Sequence, residues 1–250
     1  MQPGAYLDLA QVTLYVFWIF FAGLIFYLRR EDKREGYPLD AGDGRVANGY
    51  PRLPEQKTYL LHSGHTATLP NYRNDRRDAP VAPIAPWPGA PFAPTGNAML
   101  DGVGPGSYAQ REDLPELTMD NIPAIVPLRV AEGTWLEARD PDPRGMKVVG
   151  ADGEVGGTVT DVWVDRAEAL LRYIEVEVAG GRRVLLPMGF ALINRARKRV
   201  EVDAILGSQF AAVPATKSAD QVTKLEEDKI VGYFGAGTLY ATPARQEPLI

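Results

Sequence analysis

Between positions 161 and 177 the chain gathers the carboxylates Asp161, Asp165, Glu168, Glu175 and Glu177, with Arg166 and Arg172 interleaved. Acids crowded at one strand end admit two readings. One is a solvated charged face, with surface ion pairs worth about 0–1 kcal/mol each. The other is a path for protons, because like charges in a partly buried cluster raise carboxylate pKa values toward neutrality. Moving a glutamate from about 4.3 to about 7 costs close to 4 kcal/mol, so such a path needs low-dielectric or acid-rich surroundings.

Other chemistries find no support in the residues. There is no GxSxG, HExxH or GK[ST] phosphate loop. Cysteine is absent, which rules out disulfides, thiolate metal sites and a cysteine nucleophile. The only histidines, His62 and His65, flank Ser-Gly with no third ligand nearby, and read as a solvated turn. Gly102, Gly104 and Gly106 in DGVGPGSY lack a strand–loop–helix setting, and Pro105 removes an amide donor. The glycines of GYFGAG, Gly232 to Gly237, meet the same objection, so both stretches are expected to be turns. A net charge of -5 argues against wholesale nucleic-acid binding, since neutralising phosphates takes clustered Lys and Arg.

The elements that must position the acids are mostly strands. Residues 147–150 and 158–165 read as two strands about a turn at Asp152-Gly153. Residues 173–178 alternate, placing Ile174, Val176 and Val178 on one face and Tyr173, Glu175 and Glu177 on the other. Gly180-Gly181 turns into a strand over 184–188. Residues 191–194 and 200–203 pair about a basic tip, Arg195, Arg197, Lys198 and Arg199, which is most simply solvated, with anionic lipid headgroups as a second contact. Short strands at this spacing imply a small β-barrel. Ser218 and Gln221 resemble a capping box that starts a C-terminal helix, with Gly235 and Gly237 ending it.

Ahead of the barrel, residues 80–94, PVAPIAPWPGAPFAP, space prolines too closely for helix or central strand and read as an extended strap carrying Ile84, Trp87 and Phe92. Residues 57–61 suggest a short strand. At the start, residues 9–28 contain no charge, and at about 1.5 Å per residue they span a bilayer's hydrocarbon core. Arg29, Arg30, Lys33 and Arg34 follow at once. The length of the run and the lack of Lys or Arg before it favour a retained anchor over a signal peptide. Its aromatic residues face lipid or pack on other membrane helices or pigments, and Ala22-Gly23 offers a close-approach point. The positive-inside rule places residues 1–8 outside, in the periplasm, and everything from Arg29 in the cytoplasm. The expected organisation is a transmembrane helix over 9–28, an extended Pro/Gly-rich segment over 29–124, and a mostly-β domain with a C-terminal helical region over 125–250.

Four stretches together resemble the H subunit of the purple-bacterial photosynthetic reaction centre. They are FWIFFAGLIFYLRREDKREGYPL, APTGNAMLDGVGPGSYAQREDLPEL, TVTDVWVDRAEALLRYIEVEV and LEEDKIVGYFGAGTLYATP, which cover nearly the whole chain in the family's order. The resemblance implies a non-catalytic, single-span subunit of the photosynthetic inner membrane with a PRC-type β-barrel on the cytoplasmic side. Such a subunit caps the L and M subunits, which carry bacteriochlorophyll, bacteriopheophytin, quinone and non-haem iron. It binds none of these through its own ligands, and it admits protons toward the secondary quinone. Antenna proteins, a bound cytochrome and membrane lipids are further expected neighbours. Glu168 falls where the family has the carboxylate nearest the proton route, and Asp165 and Arg172 match its charged neighbours. Some members carry a histidine pair after the DLPEL-type segment as a proton entry. ELTMDNIPAIVPL has none, and Asp120 is an acid nearby that does not align. The competing class is a membrane-tethered PRC-barrel adaptor for protein or RNA outside photosynthesis.

Overall fold

The computed structural model describes residues 8–40, 46–70, 77–87 and 89–246. By its internal contacts the chain divides into two units, one of residues 1–76 with 86–90, the other of residues 77–85 with 91–250.

The first unit is led by helix α1, Leu9–Glu31. None of its residues is buried within the chain, as expected of a segment whose solvent is lipid. Ahead of Arg29, its two strongly polar side chains bond within the helix: Thr13 Oγ1 donates to the Leu9 carbonyl, and Gln11 Nε2 to the Tyr15 hydroxyl, both at 2.9 Å. A one-turn 3-10 helix, Asp32–Arg34, follows. Here the basic run does more than mark a membrane face. Lys33, 1% exposed, donates through Nζ to the carbonyls of Asn48 (2.6 Å) and Pro51 (2.7 Å). Arg34 is held by Glu31 and donates to the carbonyls of Glu55 (2.7 Å) and Leu69 (3.0 Å). These cations gather the segment that follows, which is built as two antiparallel pairs. Strand β1 (Leu39–Asp40) pairs with β2 (Val46–Ala47), and β3 (Lys57–Leu60) pairs with β4 (Thr66–Leu69).

In the second unit, the proline-rich stretch is not a single extended strap. Val81–Pro83 (β5) pairs with Phe92–Pro94 (β6) as a hairpin, since both are edge strands where a missing proline N–H costs no ladder bond. Ile84, Trp87 and Phe92 are exposed. The main sheet follows, with β7 (Ile125–Pro127), β8 (Lys147–Val149), β9 (Val155–Asp165), β10 (Leu170–Glu177), β11 (Arg183–Pro187), β12 (Leu192–Asn194) and β13 (Arg199–Glu201). Its order is β11-β10-β9-β8-β13-β12, with β7 also on β9. All pairs are antiparallel except β13 on β8. A 3-10 turn, Met188–Phe190, carries the chain from one end of this path to the other, and the sheet curls around Val148, Val159, Ile174, Val176, Leu186 and Val200. The alternation read for β10 is overturned in part. Tyr173 and Glu175 are buried like Ile174 and Val176, because the chain covers both faces of this part of the strand, and of Tyr173, Glu175 and Glu177 only Glu177 meets solvent.

Helix α2, Lys224–Tyr240, closes the unit. Its capping box is not at Ser218 but at Thr223: Glu226 N–H donates to Thr223 Oγ1 (3.2 Å), and Thr223 N–H donates back to Glu226 Oε2 (2.9 Å). The glycines of GYFGAG lie within this helix and do not end it. A Cβ on Gly232 would stand 2.8 Å from the Gly106 carbonyl, and one on Gly237 would stand 2.4 Å from that of Ala204. Bare backbone there lets the helix press on the one-turn 3-10 helix Gly104–Gly106. The same helix binds the chain just beyond that turn. Lys224 donates from its backbone to the Leu114 carbonyl (3.0 Å) and from Nζ to Glu112 (3.0 Å). Thr223 bonds Asp113 (2.8 Å), and Asp228 meets Arg111 (3.3 Å).

Candidate proton-relay site

The four-residue turn from β9 to β10, residues 166–169, is where carboxylates and guanidinium meet. Asp165 ends β9 and is 3% exposed. Its Oδ1 accepts the backbone N–H groups of Ala167 (2.9 Å) and Glu168 (3.2 Å), so the buried carboxylate itself shapes the turn that presents Glu168. Its Oδ2 lies 3.4 Å from Arg172 Nε, and the same guanidinium reaches Glu168 Oε2 at 3.9 Å. Glu168 and Arg172 are exposed. The three form a short descent from solvent to a buried acid. Ala169, with φ of 54°, sits in the left-handed region, at a cost of about 1–2 kcal/mol for a side chain that is not glycine.

Glu175 and Asp161 belong to a different cluster. Asp161 lies four residues back along β9, about 13 Å at strand spacing, and pairs across the ladder with Glu175. Glu175 Oε2 accepts Arg129 Nη1 (3.0 Å) and Trp163 Nε1 (3.1 Å), and its Oε1 accepts Thr160 Oγ1 (2.7 Å). Arg129 also donates to Asp161 (3.2 Å), Asp220 (3.1 Å) and the Ala219 carbonyl. Burial pushes the Glu175 carboxyl up. The bonds from Thr160, Arg129 and Trp163 outweigh it, and the group rests below the ordinary carboxylate value. A carboxylate held so firmly ionised is a structural counter-ion. Arg166 turns away to donate to the Pro123 carbonyl, and Glu177 is exposed.

A cleft of about 600 Å3 opens between β10 and α2, lined in part by Arg111, Arg172, Tyr173, Glu227 and Asp228. Tyr173 donates its hydroxyl to Glu227 Oε2 at 2.8 Å. Elsewhere, His62 and His65 lie at the exposed tip of the β3–β4 hairpin. Among the described residues no group of three or more His, Cys, Asp and Glu is arranged to hold a metal. Asp120 is exposed in a turn beside Asn121. The basic tip is partly spent on Glu201, which meets Arg199 (2.7 Å) and Arg197 (3.4 Å).

The family model for the N-terminal region of the photosynthetic reaction centre H chain matches residues 3–130, and that for the PRC-barrel domain matches residues 137–209. The chain belongs to the reaction centre H-chain family. It is thus a subunit of a photosynthetic reaction centre, anchored by α1, with the PRC barrel carried by β8 to β13 and closed by α2. Membership implies association with the L and M subunits.

Of the residues expected at the H-chain site, Asp165, Glu168 and Arg172 are brought together. Asp161 and Glu175 are grouped elsewhere. Arg129 and Glu227 gave no signal in the sequence, because each meets its partner across 32 or more residues and across different elements.

Proposed function

We propose that this subunit caps the L and M core on the cytoplasmic side and conducts protons toward the secondary quinone through Glu168 and Asp165. The carrying observation is the descent at the β9–β10 turn, with an exposed carboxylate, a buried one, and the Arg172 guanidinium within 4 Å of both. Glu168 takes a proton from water and passes it inward to the side of Asp165. Arg172 lowers the cost of holding two acids close together and sets the local potential. Quinone reduction consumes protons, and a subunit that excludes bulk water must admit them along such a line. In this reading residues 1–8 lie in the periplasm, the barrel faces the cytoplasm, and the pigments, quinones and iron belong to the partner subunits of a photosynthetic inner membrane. Antenna proteins and a bound cytochrome would lie alongside.

The test is Glu168→Gln in the assembled complex, followed by flash spectroscopy. Proton-coupled transfer of the second electron should slow by roughly tenfold, about 1.4 kcal/mol in the barrier, with the first transfer nearly unchanged. Unaltered second-transfer kinetics would remove Glu168 from the path.

A further inference from the structure

Arg172 has a second neighbourhood. Successive strand residues normally point to opposite faces, yet Arg172 and Tyr173 line the same cleft. The ladder between β9 and β10 shifts register between Leu171 and Tyr173, and such an irregularity re-aims side chains. One guanidinium therefore touches Asp165 and Glu168 on one side and borders the cleft that holds Glu227 on the other.

Glu227 sits near the start of α2, half-buried, with its carboxylate fixed by the Tyr173 hydroxyl. Charge faces it from three elements, while the Met188–Phe190 and Gly104–Gly106 turns that also border the cleft bring none. The helix adds Asp228, β10 adds Arg172 and Tyr173, and the segment before the barrel adds Arg111 and Glu116. Arg111 is shared with Asp228 at 3.3 Å. Burial pushes the Glu227 carboxyl up and Glu116 adds to it. The Tyr173 hydrogen bond, Arg111 and Arg172 pull it down without cancelling the rise. The Tyr173 hydroxyl is pushed up by burial and by Glu227, so it keeps its own proton.

We propose that Glu227 is a second proton-binding carboxyl of the complex, filled from water in the β10–α2 cleft and coupled through Arg172 to the Asp165–Glu168 pair. This rests on the proton-conducting reading above. The step forms one O–H bond on a Glu227 oxygen from a water-borne proton, and the tyrosine hydroxyl stays in place as a donor. Glu227 is then a reservoir that responds to charge appearing in the partner subunits, while Glu168 is the conduit.

The experiment measures flash-induced proton uptake against pH in the purified complex with an indicator dye, for wild type, Glu227→Gln, Tyr173→Phe and Glu168→Gln. Glu227→Gln should lose the uptake component that titrates above the ordinary carboxylate range. Tyr173→Phe removes a donor that favours the charged form, so it should move that component to higher pH. An unchanged uptake curve in Glu227→Gln overturns the proposal. So does a Tyr173→Phe curve that stays put or moves down, whatever either variant does to thermal stability. If Glu227→Gln fails to assemble, the direction of the Tyr173→Phe shift decides alone. Glu168→Gln separates the two ideas. Normal second-electron kinetics there, together with the Glu227 effects, sinks the conduit and leaves the reservoir standing.

Discussion

Replacing Arg129 with methionine takes one guanidinium from Asp161, Glu175, Asp220 and the Ala219 carbonyl while keeping most of the stem's volume. Glu175, 2% exposed, keeps Thr160 and Trp163, and its other cation within reach is Arg183 at 3.4 Å, a half-exposed side chain. Removing one partner of a fully buried pair costs about 3–5 kcal/mol. Arg129 is itself 32% exposed and Arg183 can close in, so a loss of about 2–3 kcal/mol is expected. The pH dependence carries the diagnosis. Glu175 has a folded-state pKa below its unfolded one, so its contribution is present above the unfolded value and is lost as pH falls through the folded value. The gap between wild type and variant should be widest at neutral pH and should narrow below about pH 4. Thermal melting of the detergent-solubilised complex at both pH values measures it, with Glu175→Gln and the double variant completing a cycle. A gap equal at the two pH values, or no coupling between the two positions, would refute the reasoning.

Gly237→Ala should destabilise by about 1–3 kcal/mol through overpacking against the Ala204 carbonyl, more than the roughly 1 kcal/mol that alanine gains in helix propensity. Gly189→Ala, whose Cβ would meet nothing within 4 Å, is the control and should leave the melting temperature unchanged. Thr223→Ala removes both the helix cap and the bond to Asp113 and should cost about 1 kcal/mol, with Thr223→Ser restoring most of it in the same melts.

The barrel strands could be read from the sequence because their inner residues are β-branched and their turns carry Asp-Gly and Gly-Gly, which punctuate in any context. The β10 pattern misled where tertiary cover mattered. Glu175 looks like an outward residue, and only Arg129 and Trp163, placed by other elements, make its burial tolerable. GYFGAG misled for the converse reason. Glycine is a poor helix former, and here the lost propensity is offset by backbone contact with a turn more than a hundred residues earlier, which no local window contains. At the relay, Asp165, Glu168 and Arg172 share one hairpin, so spacing and resemblance both reached them. Glu227 needed the fold.

The grip of α2 on residues 111–114 sets an order of events during synthesis. Lys224 and Glu112 are 112 positions apart. At about 5–20 residues per second, the earlier segment waits roughly 5–20 s for its partner to be made. Strands β7 to β13 have all been made by then and can pair in the meantime, whereas residues 111–114 have yet to meet their partners on α2. Residues 111–114 are therefore sealed only once α2 has been made.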